Sequence, residues 1–236
     1  MRSLASLLLC SSFSLCAGVL TTGCDGTISV VFSTGPQEFE VSTAGLALPV
    51  ELRDMSGAIA SVPCGPMGMC PPSDVVTLDC NADVCDPAPK TVSAPVGGVI
   101  DTEALLADTR DVGLRVVDSY TIERVAYDIT LNTLTIPTQE IEVFWGPEAA
   151  TSIDPAQGVH PFGRIPAIAA GATASGDMII DGAGTAALSD FLVAGGGRMR
   201  LFARTSVDLD PGDPFPEGSV RMSVNATIRA VGSLVP

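Results

Sequence analysis

The feature that most constrains this chain is a two-residue alternation of apolar and polar side chains filling its C-terminal third. Met199, Leu201, Ala203, Thr205, Val207 and Leu209 alternate against Arg198, Arg200, Phe202, Arg204, Ser206 and Asp208. After the turn-rich Asp210-Pro211-Gly212-Asp213-Pro214-Phe215-Pro216-Glu217-Gly218 the pattern resumes. Val220, Met222, Val224, Ala226, Ile228 and Ala230 now alternate against Arg221, Ser223, Asn225, Thr227 and Arg229. A period of two belongs to a strand with one face buried and one wet, so two long strands are predicted here. The loop between them predicts an antiparallel hairpin. Its simplest register sets Leu209 opposite Val220, Val207 opposite Met222 and Asp208 opposite Arg221, the last an attractive cross-strand pair. The same register brings Arg200 opposite Arg229.

Shorter strands are read at Thr27-Ile28-Ser29-Val30-Val31-Phe32, Val75-Val76-Thr77-Leu78 and Thr91-Val92-Ser93. Leu46 to Leu52 also alternates, with Pro49 favouring a sheet edge. Val125, Tyr127, Ile129 and Leu131 share one predicted face, with Arg124, Asp128 and Asn132 on the other, and Ile141, Val143 and Trp145 continue the pattern. Gly146 to Ser175 is rich in proline, glycine and alanine and reads as a long surface connection or a series of poorly regular edge segments. Helical signals are few. Asp101-Thr102-Glu103-Ala104-Leu105-Leu106 offers a cap and an apolar pair. Thr185 to Ala194 places Leu188, Phe191 and Leu192 on one face, and Gly195-Gly196-Gly197 stops it. The expected fold is therefore all-β: a mostly antiparallel β-sandwich with one or two short helices. It forms a single domain over residues 24–236, with a cysteine-bearing loop region at 64–85.

Residues 1–23 have a different character. Met1-Arg2-Ser3 is a short positive start, Leu4 to Leu20 is apolar or small, and the stretch ends at Thr21-Thr22-Gly23-Cys24. A charged start followed by an apolar run is the layout of a secretory signal. A small residue followed by cysteine at the end of that run resembles a bacterial lipoprotein signal peptide, although Thr21 stands where such signals mostly carry leucine. The resemblance implies cleavage before Cys24 and acylation of its thiol and amine, hence a lipid anchor in a membrane of the bacterial cell envelope, facing the periplasm or the cell surface. The other readings are an uncleaved anchor helix or ordinary cleavage to a free protein.

Cysteine parity agrees with export. Of seven cysteines, Cys10 and Cys16 leave with the leader and Cys24 takes the lipid, so Cys64, Cys70, Cys80 and Cys85 remain. An even remainder in an exported chain reads as two disulfides, with three connectivities open. The spacing C-x5-C-x9-C-x4-C does not match a zinc knuckle, and the absence of C-x-x-C argues against a redox-active pair.

Charge narrows the partners. The chain carries 12 basic and 27 acidic residues, and removing Arg2 leaves 11 − 27 = −16. Such a surface repels phosphate backbones, so no nucleic-acid partner is expected. Five of the ten arginines beyond the leader, Arg198, Arg200, Arg204, Arg221 and Arg229, fall on the predicted wet face of the hairpin. They are a candidate dock for anionic headgroups or an acidic partner, or are neutralised by the protein's own carboxylates. Asp79, Asn81 and Asp83 follow D-x-N-x-D with Asp86 beyond, and oxygen-rich loops of this kind suit calcium. The complete twelve-residue loop fails, because Val84 stands where glycine is needed and Lys90 where the bidentate glutamate belongs. Asp208, Asp210, Asp213 and Glu217 form a second acidic group. No cofactor other than calcium is expected.

Catalytic patterns are missing. His160 is the single histidine and Lys90 the single lysine, and there is no G-x-S-x-G, S-x-x-K, H-E-x-x-H or phosphate-binding loop. His160 reads as a loop residue without a special role. The expectation is a membrane-anchored structural or binding module, not an enzyme, whose partner is an envelope protein or polymer. Two readings from other classes stand beside it. One is a carboxylate-based hydrolase of envelope polymers, which a cleft with two close acids near Trp145 would favour. The other is a calcium-stabilised, adhesin-like domain.

Overall fold

The computed structural model describes residues 21–22, 27–45, 50–72, 76–102, 107 and 116–233. In chain order the strands are β1 (Thr21–Thr22), β2 (Thr27–Ser33), β3 (Gln37–Ser42), β4 (Val62–Pro63), β5 (Leu78–Asn81), β6 (Val84–Pro87) and β7 (Lys90–Asp101). They continue with β8 (Val116–Asn132), β9 (Ile141–Pro147), β10 (His160–Ile165), β11 (Ala174–Asp177) and β12 (Ile179–Ile180), then β13 (Arg198–Val207) and β14 (Ser219–Ser233). Helix α1 (Gly182–Val193) precedes β13. Every pairing between these strands is antiparallel. The expected all-β sandwich with little helix is what the chain adopts.

One layer runs β1-β2-β14-β8-β11, with β3 also on β14, and the other runs β12-β10-β9-β13-β7. The long strand β14 is the spine of the first. β8 lies along one side of it from Val116 to Asn132, while β2 and β3 follow one another along the other. The interruption at Thr34 is stitched, since Thr34 N–H donates to the Ala226 carbonyl and Ala226 N–H donates to Thr34 Oγ1. Between the layers Ile28, Val30, Phe39, Val125, Ile129, Val220, Met222, Val224 and Ile228 meet Val96, Ile141, Val143, Phe162, Ile165 and Leu201 in one core.

β8 departs from the simple alternation predicted for it. Opposite β14 it carries extra residues, with register shifts that leave Thr130, Glu123 and Asp118 without a counterpart. Each bulge shifts the strand's phase by one residue. Tyr120 and Ile122 therefore point inward at even numbers, while Val125, Tyr127 and Ile129 do so at odd numbers. After Thr130 the phase reverts, so Leu131 is 40% exposed and Asn132 is buried, the opposite of the expected faces. Asn132 is satisfied there: its Nδ2 donates to the Ala169 and Ala172 carbonyls and its Oδ1 accepts from Leu134 N–H.

The predicted hairpin of β13 and β14 does not form. β13 pairs with β7 and β9, and β14 with β8, β2 and β3, so the two strands lie in opposite sheets. Leu209 does not oppose Val220, and Arg200 does not oppose Arg229. The turn-rich segment carries the chain from one layer to the other, and the apolar faces of both strands meet the same core from opposite sides. Phe202, expected on the wet face, is buried with Phe144, Ala150 and Val159, because residues 150–159 cover that part of the outer surface.

Of the two readings of 146–175, the segmented one is nearer: the stretch holds β10 and the start of β11 between irregular turns. The second predicted helix forms as α1. Asp181 caps it, its Oδ1 accepting from Gly184 N–H at 2.8 Å, and Leu188 and Leu192 are buried against β8. Gly184 lets the helix dock, since a Cβ there would lie 1.5 Å from the Pro161 carbonyl oxygen. Of the predicted first helix, residues 103–106 lie outside the described residues, as do Leu46 to Pro49 and Val75.

Candidate functional site

Cys64, Cys70, Cys80 and Cys85 do pair: Cys64 with Cys80 and Cys70 with Cys85, at Cα separations of 5.9 and 5.6 Å. The two links cross in sequence and tie strands β5 and β6 of the small sheet β4-β6-β5 to the segment that follows β4. The Sγ atoms of Cys64, Cys70 and Cys85 lie within 4.8 Å of one another because the disulfides sit side by side. Cys24 lies outside the described residues.

The hairpin β5–β6 fixes the calcium candidates. Asp79 faces Asp86 across the ladder and Asn81 faces Val84. Ala82 and Asp83 form the tight turn with φ of 49° and 69°, the left-handed pair that a two-residue hairpin connection demands. This geometry spreads the carboxylates along the hairpin. Among the described residues, no three carboxylates bring oxygens within 4.8 Å of one another. Nor do the acids of the 208–217 segment converge, since Asp213 Oδ2 accepts from Asp210 N–H and Glu217 pairs with Arg53.

The five arginines are divided by the sandwich. Arg198, Arg200 and Arg204 lie on the outer side of the second sheet, Arg221 and Arg229 on that of the first, so they do not form one patch. Four of them meet a glutamate: Arg198 with Glu148 at 2.9 Å, Arg204 with Glu142 at 2.7 Å, Arg221 with Glu40 at 3.3 Å and Arg229 with Glu123 at 2.5 Å. Half-exposed pairs of this kind contribute about 0–1 kcal/mol each. Arg204 also lies over the Phe144 ring, 4.8 Å from its centroid. Arg200 Nε is buried without a hydrogen-bond partner among the described residues.

His160 is a strand residue, not a loop residue. It opposes Trp145 across β9–β10, and the two rings stack at 5.1 Å. Trp145 is buried, donates from Nε1 to the Gly184 carbonyl at 3.0 Å, and meets Phe191 at 5.4 Å. The indole therefore joins sheet to helix and is no surface platform. Asp54, exposed in the 53–60 loop, is held below its ordinary carboxyl value by the Ser56 hydroxyl first and the Ala58 N–H second.

One feature of the fold has room for a ligand. At the end of the sandwich where β3 and β14 begin their ladder at Ser42 and Ser219, an apolar cavity of about 70 Å³ opens between the layers. Val41, Val92, Leu134, Ile136, Ile141 and Met222 form much of its wall. A smaller void of about 20 Å³ continues toward Phe162 and Leu201, sharing Val41, Ile141, Ala203 and Met222 with the first. Outside, Ser42 and Thr43 belong both to the cavity and to an open groove of about 470 Å³ that includes Glu40 and Glu217. The cavity's walls come from strands up to 181 residues apart in sequence, Val41 and Met222 being the extremes, so no local pattern announces it.

The chain matches no protein-family model, no curated protein and no solved structure.

Proposed function

We propose that this protein is an exported, lipid-anchored module of the bacterial envelope that binds a ligand and does not transform it. The observation that carries the reading is the pair of crossing disulfides in a chain whose leader ends at Gly23-Cys24. Structural disulfides persist in oxidising compartments outside the cytoplasm. Cys64, Cys70, Cys80 and Cys85 satisfy one another, which leaves Cys24 for acylation. Several acyl chains hold a protein on a bilayer far longer than one, so the module stays at the membrane surface. Cleavage before Cys24 also removes Thr21 and Thr22, which among the described residues pair with Ser29 and Ile28; β2 keeps its ladder with β14.

On this reading the anchor also has a direction. Cys24 precedes Thr27, which pairs with Ser233 at one end of β14, whereas the cavity lies beside Val220 at the other. Fifteen residues of strand extend about 50 Å at ~3.3 Å each. The ligand-binding end is thus held away from the lipid surface. A hydrolase reading draws no support from Trp145, which is enclosed between sheet and helix.

Mass spectrometry of the intact protein recovered from bacterial membranes tests the proposal. The expected product starts at Cys24 and carries acyl groups there, and Cys24→Ser releases the protein from the membrane fraction. Retention of Met1, or an unmodified Cys24 in native material, would sink it.

A further inference from the structure

We propose that the cavity between the sheets binds one unbranched alkyl chain, with an uncharged or cationic head group seated in the groove outside. This deepens the binding-module reading and rests on it, but it is independent of the lipid anchor.

The walls select the chain. Among the described residues lining the outer cavity there is neither a charged side chain nor an aromatic ring. A charged group placed inside would lose its water and meet no opposite charge, only the hydroxyl residues Ser42, Thr43, Thr138, Thr205 and Ser206 in a wall that is otherwise apolar. A flat aromatic ligand would find no ring to stack on, whereas aliphatic walls such as Met222, Ile141 and Val92, the methionine adaptable, accommodate methylenes. The shape selects against branching, because the neighbouring void beyond the shared Ala203 is smaller, about 20 Å³. Ser42 and Thr43 are the lining residues shared with the groove, so an amphiphile crosses from groove to cavity at those two residues.

The groove selects the head. Its two acids are already matched, Glu40 by Arg221 and Glu217 by Arg53, which leaves no spare arginine for an anion among those residues. The chain as a whole carries a formal charge of −15. An anionic head is repelled by that field, while a neutral head is tolerated and a cationic one attracted.

The experiment titrates the folded, disulfide-intact protein with 1-octanol, octylamine and octanoate below their micellar concentrations, following calorimetric heat and the thermal unfolding midpoint. Octanol and octylamine are expected to bind at one site per chain and to raise the midpoint, and octanoate to bind more weakly than octylamine. Ala203→Leu fills the junction of the two voids. It is expected to keep or raise its own midpoint and to weaken octylamine binding by about tenfold or more. Val92→Phe narrows the outer cavity and is expected to weaken binding likewise, which decides the matter should Ala203→Leu fold poorly. No saturable binding of octanol or octylamine would overturn the proposal, as would undiminished binding in the variants. Octanoate binding as tightly as octylamine would overturn the head-group assignment. Acylation of Cys24 is measured separately, so failure here leaves the anchor standing, and the reverse holds too.

Discussion

Two regions of this molecule hold their shape by different means. In the sandwich, Val125, Ile129, Ile165, Val220 and Ala230 are almost wholly withdrawn from water by neighbours in two facing sheets. In the 62–87 region, strands of two to four residues bury Cys85 and Pro87 but leave Asp79, Cys80 and Asn81 exposed, with Met67 and Met69 projecting outward. A unit that small cannot cover enough apolar surface to offset the ordering of its backbone. Covalent links substitute by shrinking the unfolded ensemble, with loops of 16 and 15 residues closed by the two bridges. The lesson is that burial and cross-linking are alternatives, chosen here by the number of strands available to share a core.

The sharpest way to break this contrast is Val224→Asp. Val224 sits mid-spine between Tyr127 and Gln37, facing the core. An unpaired carboxylate there is expected to cost about 4 kcal/mol or more, read as a lost or greatly lowered transition in urea. A variant that unfolds like the parent would show that this face is not the core.

Replacing Cys70 and Cys85 together by alanine is expected to cost about 2–4 kcal/mol within the knot. Hydrogen exchange gives the discriminating result: amides at 78–87 lose protection while those of β8 and β14 keep theirs. Equal loss in β14 would mean that knot and sandwich unfold as one unit.

Trp145→Phe probes the sandwich's junction with its helix. It removes the donor to the Gly184 carbonyl and is expected to cost about 1–2 kcal/mol, with faster exchange in α1 than in β14.

The smallest effect belongs to Asp54→Asn, in the loop that precedes the knot. The Asp54 carboxyl is held below its ordinary value of 3.8 in the folded chain. Its contribution is therefore present above the ordinary carboxylate range and is lost as pH falls through the lower, folded value. Melting curves of parent and variant should differ slightly near neutrality and converge in acid. A gap that widens in acid would contradict the sign.

Much of the architecture was legible in the chain. The alternation in β14 names its buried residues, because a pleated strand has only two faces. Leu188 and Leu192 mark the helix face that meets the sheet and Gly195 marks its end, whereas the start at Gly182 and its Asp181 cap emerge only in the structure. What alternation does not name is a partner. β13 and β14 each present a core face, and that requirement is met equally by a hairpin in one sheet or by a crossing between two. The bulge at Thr130 was equally hidden, since an extra residue in a ladder is visible only against the strand opposite. The candidate site was the least legible part, for a void belongs to the residues around it jointly and to none of them singly.

The sequence by itself determined that this chain builds sheets with one dry face, that Cys64, Cys70, Cys80 and Cys85 pair up, and that it is strongly acidic. These follow from periodicity, parity and charge, which are properties of residues counted along the chain. Only the tertiary structure decided which strands are neighbours, which cysteine meets which, and how the arginines are split between two outer surfaces. Those depend on long-range closure of the chain, where many arrangements satisfy the same local pattern and packing of the whole core selects one.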